Sequence, residues 1–172
     1  KKDEKALVLL NDKLKTANTA ARRGILFTLQ KSWKFKPELI DGLAVAARDS
    51  NRNVRFHAAI LLSEIQSDKI VPAVIQLVDS EKDEIVRCKL AEGLVKQKSR
   101  KGTDVLLHDL NNNDMWVREA AANGLAFSRE KDVYSALEKA ITTEQSNIVQ
   151  SAIISSMNSI SGISQQRLWD KY

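Results

Sequence analysis

The sequence predicts an all-α fold, a solenoid of about five antiparallel helix pairs. Three observations point to it. A five-residue phrase recurs as Asn51-Arg52-Asn53-Val54-Arg55, Asp83-Glu84-Ile85-Val86-Arg87, Asp114-Met115-Trp116-Val117-Arg118 and Ser146-Asn147-Ile148-Val149-Gln150, its valines 32, 31 and 32 residues apart. A period in that range is the signature of stacked helical repeats. Each phrase opens on Asn, Asp or Ser, whose side-chain oxygen accepts from the free amides of a first helical turn. Finally, no sustained polar–apolar alternation is bounded by Asn-Gly or Asp-Gly turns, so strand signals are poor.

The second (B) helix of each pair follows its cap. Four, five and eight residues beyond each valine stand Ala58, Ala59 and Leu62; Leu90, Ala91 and Leu94; Ala121, Ala122 and Leu125; Ile153, Ile154 and Met157. Those offsets lie on one helical face, and the alanines let a neighbouring helix approach closely. A weaker first copy has Asn18 as cap, then Ala21, Arg22, Ile25, Leu26 and Leu29. The first (A) helices are the shorter apolar segments at Leu7–Leu14, Leu39–Ala47, Ile70–Val78, Val105–Leu110 and Val133–Ile141. Pro37 and Pro72 fall where an A helix starts, and a first turn tolerates proline because its missing amide has no partner there.

The run Val54-Arg55…Ala58-Ala59…Leu62, repeated as Val117-Arg118…Ala121-Ala122…Leu125, resembles the HEAT repeat in the short form named after phycobilisome lyases. The resemblance spans about residues 5–160 and implies a right-handed α-solenoid. It also implies a ladder in which an acid in the A-to-B turn pairs with the arginine after the valine. Six residues before each arginine stand Asp49, Glu81 and Asn112, facing Arg55, Arg87 and Arg118; Glu144 and Gln150 make a weakened last rung. On this reading residues 1–172 form a single repeat domain, with repeats at about 5–33, 37–66, 69–98, 102–129 and 131–161 and a C-terminal segment at 162–172. The chain opens on Lys1 without an initiator Met, which suggests a domain from a longer protein.

Composition fits a helical stack: 172 residues, 43% hydrophobic, 28% charged, net charge +5. No apolar run reaches the roughly 18 to 20 residues of a membrane span. No secretory signal pattern opens the chain, and the single Cys88 cannot form an internal disulfide, so a cytoplasmic, reducing location is expected.

Chemistry-bearing motifs are scarce, and no enzyme, cofactor or metal is expected. His57 and His108 belong to different repeats and lack Cys, His or carboxylate partners at metal-ligand spacing; there is no His-Glu dipeptide of the kind that holds iron in some HEAT enzymes. With six glycines, no phosphate loop or nucleophile elbow appears. Cys88 reads as a small residue at a repeat edge, not as a nucleophile or an attachment point. The acids of residues 79–84 serve as caps and ladder.

Function therefore rests on surfaces. In HEAT stacks the B helices line the concave side, and the positions two, three, six and nine after each valine point away from the A helices. They are Phe56, His57, Ile60 and Ser63; Cys88, Lys89 and Glu92; Glu119, Ala120, Asn123 and Ala126. A noncatalytic scaffold holding a protein partner there is the favoured reading. Its alternatives are a nucleic-acid binder and a subunit of a phycobilin lyase-like or chaperone complex. The nucleic-acid reading uses the basic B-to-A turns, with Lys31, Lys34 and Lys36, then Lys96, Lys98, Arg100 and Lys101, opposite an acidic rim of Asp79, Glu81, Asp83, Glu84, Asp109, Asp114 and Glu144. Trp33 and Phe35 interleave with lysines but are better placed as a plug over the first repeat interface. Trp116 shares a column with Ile85 and Ile148 and is expected in the core or half-buried.

Overall fold

The computed structural model describes residues 2–32, 36–162 and 165–172. Every regular element among them is helical: α1 Lys2–Thr16, α2 Thr19–Ser32, a 3-10 turn Pro37–Leu39 leading into α3 Ile40–Ala46, α4 Arg52–Glu64, α5 Ile70–Ser80, α6 Glu84–Lys96, α7 Arg100–Asp109, α8 Met115–Leu125, α9 Lys131–Ile141, α10 Asn147–Ser161 and α11 Gln165–Trp169. Odd-numbered α1 to α9 are the A helices and even-numbered α2 to α10 the B helices. The B helices pack in series, α2 on α4, α4 on α6, α6 on α8 and α8 on α10, with the A helices alongside. This is the expected stack of five pairs. No described helix is long and apolar enough to cross a membrane.

The caps explain where the B helices begin. Asn18 accepts from the Ala21 amide at 2.9 Å, Asn51 from Asn53 at 2.9 Å, Asp83 from Val86 at 3.0 Å and Asp114 from Trp116 at 2.9 Å. Ser146 breaks the series: its hydroxyl faces Met115 Sδ at 3.8 Å and caps nothing. Pro37 opens the 3-10 turn and Pro72 sits in the first turn of α5, where neither removes a helix hydrogen bond.

The four valines and the alanines Ala58, Ala59, Ala91, Ala121 and Ala122 are buried. Close approach is the reason for small side chains. A Cβ on Gly102 would lie 2.6 Å from the Ala91 carbonyl oxygen, and one on Gly93 would lie 2.9 Å from Ser63 Cα, so α7 and α4 both press on the α6 backbone. Helix α6 is buried nearly all round and divides its side chains. Val86, Leu90 and Leu94 join the N-terminal core, while Cys88, Ala91 and Val95 join the C-terminal one. The segment after α10 turns at Gly162, which has φ 72°, and α11 then packs on α10 with Leu168 buried.

Candidate protein-binding face

The turns between A and B helices carry the arginine ladder, and it runs forward by one repeat. Arg55 Nη1 donates to the carbonyls of Asp49 and Ser50 in its own turn, but Nε and Nη2 take the Glu81 carboxylate of the next repeat at 2.8 and 3.1 Å. Arg118 does likewise, with its own Asn112 and Asn113 carbonyls and the Glu144 carboxylate at 2.7 and 2.9 Å. The pairs expected within one repeat, Arg55 with the Asp49 carboxylate and Arg87 with Glu81, are therefore not formed. Asp49 instead binds Arg22 at 2.8 Å, a rung that extends the ladder to the first repeat. The physical reason lies in the acid's second contact. Each ladder residue also accepts the amide two positions on, Asp49 from Asn51, Glu81 from Asp83, Asn112 from Asp114 and Glu144 from Ser146, which aims it at the repeat before it. Asn112 keeps that backbone contact without a charge, so Arg87 moves back one turn to the buried Asp109, at 2.8 and 2.9 Å. Gln150 ends the series by donating to the Glu144 carbonyl at 2.8 Å. Crevices of about 420 and 310 Å³ open beside the Arg55 and Arg118 rungs, whose guanidinium groups each make four hydrogen bonds within the fold.

The B-helix face gathers most of the residues picked from the sequence. Phe56 of α4, Lys89 and Glu92 of α6, and Glu119, Ala120 and Asn123 of α8 line one pocket of about 160 Å³, joined by Ile85. Glu92 is held in place by Lys89 and by Lys96, the latter at 2.8 Å. Among the described residues Glu119 accepts only from the Asn123 amide, at 3.5 Å. His57 and Ile60 flank the pocket half-buried, and the His57 ring meets Phe56 edge-on at 6.3 Å. Three expected surface positions are buried, Glu92 in the pocket lining at 6% exposure and Ser63 and Cys88 inside the stack. Ser63 is buried where Gly93 presses on its backbone, its hydroxyl donating to the Ile60 carbonyl, and Cys88 is buried against Asp109.

Trp116 corrects the expectation in the other direction. It is 52% exposed, as Ile148 is at 44%, and neither belongs to the core. Trp116 stands one residue before its valine and three, four and seven residues before Glu119, Ala120 and Asn123, so it shares their stripe; Ile148 holds the same register on α10, which lends no residue to the pocket. That spacing was available in the sequence and identifies Ile85, Trp116 and Ile148 as additions to the face.

The basic turns hold less free charge than their composition implies. Lys96 bonds Glu64 at 2.7 Å and lies over the Phe127 ring, Arg100 bonds Asp104, Glu130 and Asp132, and Lys101 bonds Asp79 at 2.8 Å. Burial pulls the Lys96 ammonium down, but Glu64 and Glu92 outweigh it and hold its pKa above the ordinary value. The Lys101–Asp79 pair joins residues assigned to opposite rims, so the expected polarity across the stack is not kept there. Lys98, exposed at φ 60°, has no acidic partner among the described residues. Lys31 covers the Phe27 ring and Lys36 is exposed before Pro37; Trp33, Lys34 and Phe35 lie outside the described residues.

Burial, reinforced by the Asp109 carboxylate, pushes the Cys88 thiol far above its ordinary range, which removes the thiolate a covalent step would use. His108 Nδ1 stands 3.0 Å from its neighbour Asp109 on an otherwise exposed ring. Among the described residues no three of His, Cys, Asp and Glu gather as metal ligands.

A family described as HEAT repeats matches the chain twice, over residues 7–94 and 71–158. No curated protein matches it. With paired helices stacked at a period of 31 to 32 residues and two overlapping matches that cover most of its length, the chain belongs to the HEAT-repeat family, whose repeats form helical scaffolds for protein interaction.

Proposed function

We propose that this chain is a noncatalytic scaffold that holds a protein partner against the face formed by α4, α6 and α8. The pocket between Phe56, Ile85, Lys89, Glu92, Glu119, Ala120 and Asn123 carries the reading. Its floor combines apolar side chains with an ion pair already satisfied within the fold, and Trp116 stands exposed beside it. An exposed aromatic next to a half-apolar depression is the usual chemistry of a protein-binding hot spot. Nucleic acid is disfavoured, because Lys96, Arg100 and Lys101 are matched by carboxylates and phosphate binding depends on unmatched cations.

A photo-crosslinking amino acid placed at position 116 or 123 tests this, with positions 76 and 135 on the exposed A-helix side as controls. In extract of the source cells, discrete adducts are expected from the first two only. Unlabelled protein should compete them away, and the Ala120→Trp variant should compete poorly. Equal adducts from both faces, or none from the B face, overturn the proposal. Duplex DNA bound at low salt and released as salt rises would favour the phosphate reading instead.

A further inference from the structure

Resting on the scaffold reading above, we infer that the pocket of the B-helix face takes an arginine side chain of the partner protein, its guanidinium on the Glu119 carboxylate and over the Trp116 indole. The charge balance of the pocket carries the argument. Glu92, 6% exposed, is matched by the Lys89 and Lys96 ammonium groups, and Lys96 also holds Glu64. The arginines of the neighbouring turns are committed as well, Arg52 to Asp83 and Arg118 to Glu144. Glu119 is the exception. Half-buried in the pocket lining, it forms no ion pair among the described residues and accepts only from the Asn123 amide, at 3.5 Å. Water solvates that carboxylate while the face is open. A partner lying on the pocket displaces the water, and a carboxylate covered without a cation is strongly disfavoured. The covering surface must therefore bring the missing positive charge.

Register explains the shape of the guest. Phe56, Cys88 and Glu119 each stand two residues after a valine. Cys88, on the middle helix α6, is buried at 1%, whereas Phe56 of α4 and Glu119 of α8 both line the pocket. The flanking helices thus offer an aromatic ring on one side and a carboxylate on the other, which suits a side chain with an aliphatic stem and a cationic head. Trp116 selects the head group. It precedes Glu119 by three residues on α8, so the two are neighbours on one helical face, and it is 52% exposed. A planar guanidinium forks onto a carboxylate and stacks on an indole, whereas an ammonium is a compact, strongly hydrated point charge.

Titration of the isotope-labelled chain with N-acetyl-arginine amide, followed by nuclear magnetic resonance at the Trp116 indole N–H and the Asn123 side-chain amide, tests the pocket directly. Saturable shifts at both are expected, weaker for N-acetyl-lysine amide and absent for the uncharged isostere N-acetyl-citrulline amide. Glu119→Gln should weaken arginine binding at least about tenfold and leave the helical signal unchanged, because Glu119 bonds only to Asn123 of its own helix among the described residues. No shift with the arginine probe, an equal response to citrulline or lysine, or an undiminished response in Glu119→Gln overturns the inference. Photo-crosslinking from position 123, repeated with Glu119→Gln, separates it from the reading it rests on. Loss of the adducts on that substitution is expected. Adducts that persist undiminished sink the arginine contact and leave the scaffold standing, whereas adducts missing even with Glu119 in place sink the scaffold reading and the inference with it.

Discussion

Arg55 and Glu81 are joined by two hydrogen bonds across a repeat boundary, while the same guanidinium holds two carbonyls of its own turn. One side chain thus ties the end of one helix pair to the start of the next. A double-mutant cycle between Arg55→Ala and Glu81→Ala should yield a coupling of about 0.5 to 3 kcal/mol in urea unfolding. The cycle between Arg55→Ala and Asp49→Ala should yield clearly less, because the Asp49 carboxylate is engaged by Arg22. Equal couplings would mean that the ladder closes within repeats.

Packing at the small residues sets a second expectation. Ala121 is fully buried, and Gly102 has the Ala91 carbonyl and the Val95 amide where a methyl would go. Ala121→Leu and Gly102→Ala should each lower stability by about 1 to 3 kcal/mol. Thermal unfolding followed by circular dichroism reads this directly, and an unchanged melting temperature for either variant contradicts the packing.

Acid should loosen the ladder. Its hydrogen bond from Arg118, opposed by burial, holds the Glu144 carboxyl below the usual range. At Asp49 burial pulls upward, but the Asn51 amide and Arg22 outweigh it, so that pKa is also depressed. Such groups bind a proton less readily folded than unfolded. Their stabilisation is present above the ordinary carboxylate pKa of about 4 and is lost as pH falls through the folded values. The urea midpoint should hold at neutral pH and fall below about pH 4. Glu144→Gln should flatten that fall; an unaltered acid limb argues against a charged rung.

Cys88 offers a chemical readout. Buried, and with its pKa raised, it should react with a disulfide reagent on the order of a hundredfold slower in the native protein than in urea. Rapid native labelling would place it at the surface.

The repeat was legible because one chemistry recurs: a cap, a valine three residues later and small residues at helical offsets. Direction within the ladder was not. Sequence spacing pairs Arg55 with Asp49, six residues before it, and only the packing of successive turns brings Glu81 of the next repeat to the guanidinium instead. Asp109 was hidden further, because its role depends on an amide at Asn112 that cannot carry the charge. At the candidate face, Phe56, Lys89, Glu119 and Asn123 followed from counting along a helix. Trp116 was misplaced because its column contains Ile85 and Ile148, and an apolar column reads as core when it lines an exposed groove.

Helix α6 gives Val86, Leu90 and Leu94 to one core and Cys88, Ala91 and Val95 to the other, and its Lys89 and Glu92 line the B-face pocket. A shared rod of this kind leaves no hinge between two blocks. The groove between α4 and α8 is therefore floored by side chains whose helix is anchored in both cores at once. A partner held against Lys89 and Glu92 would rest on both halves of the stack through one helix.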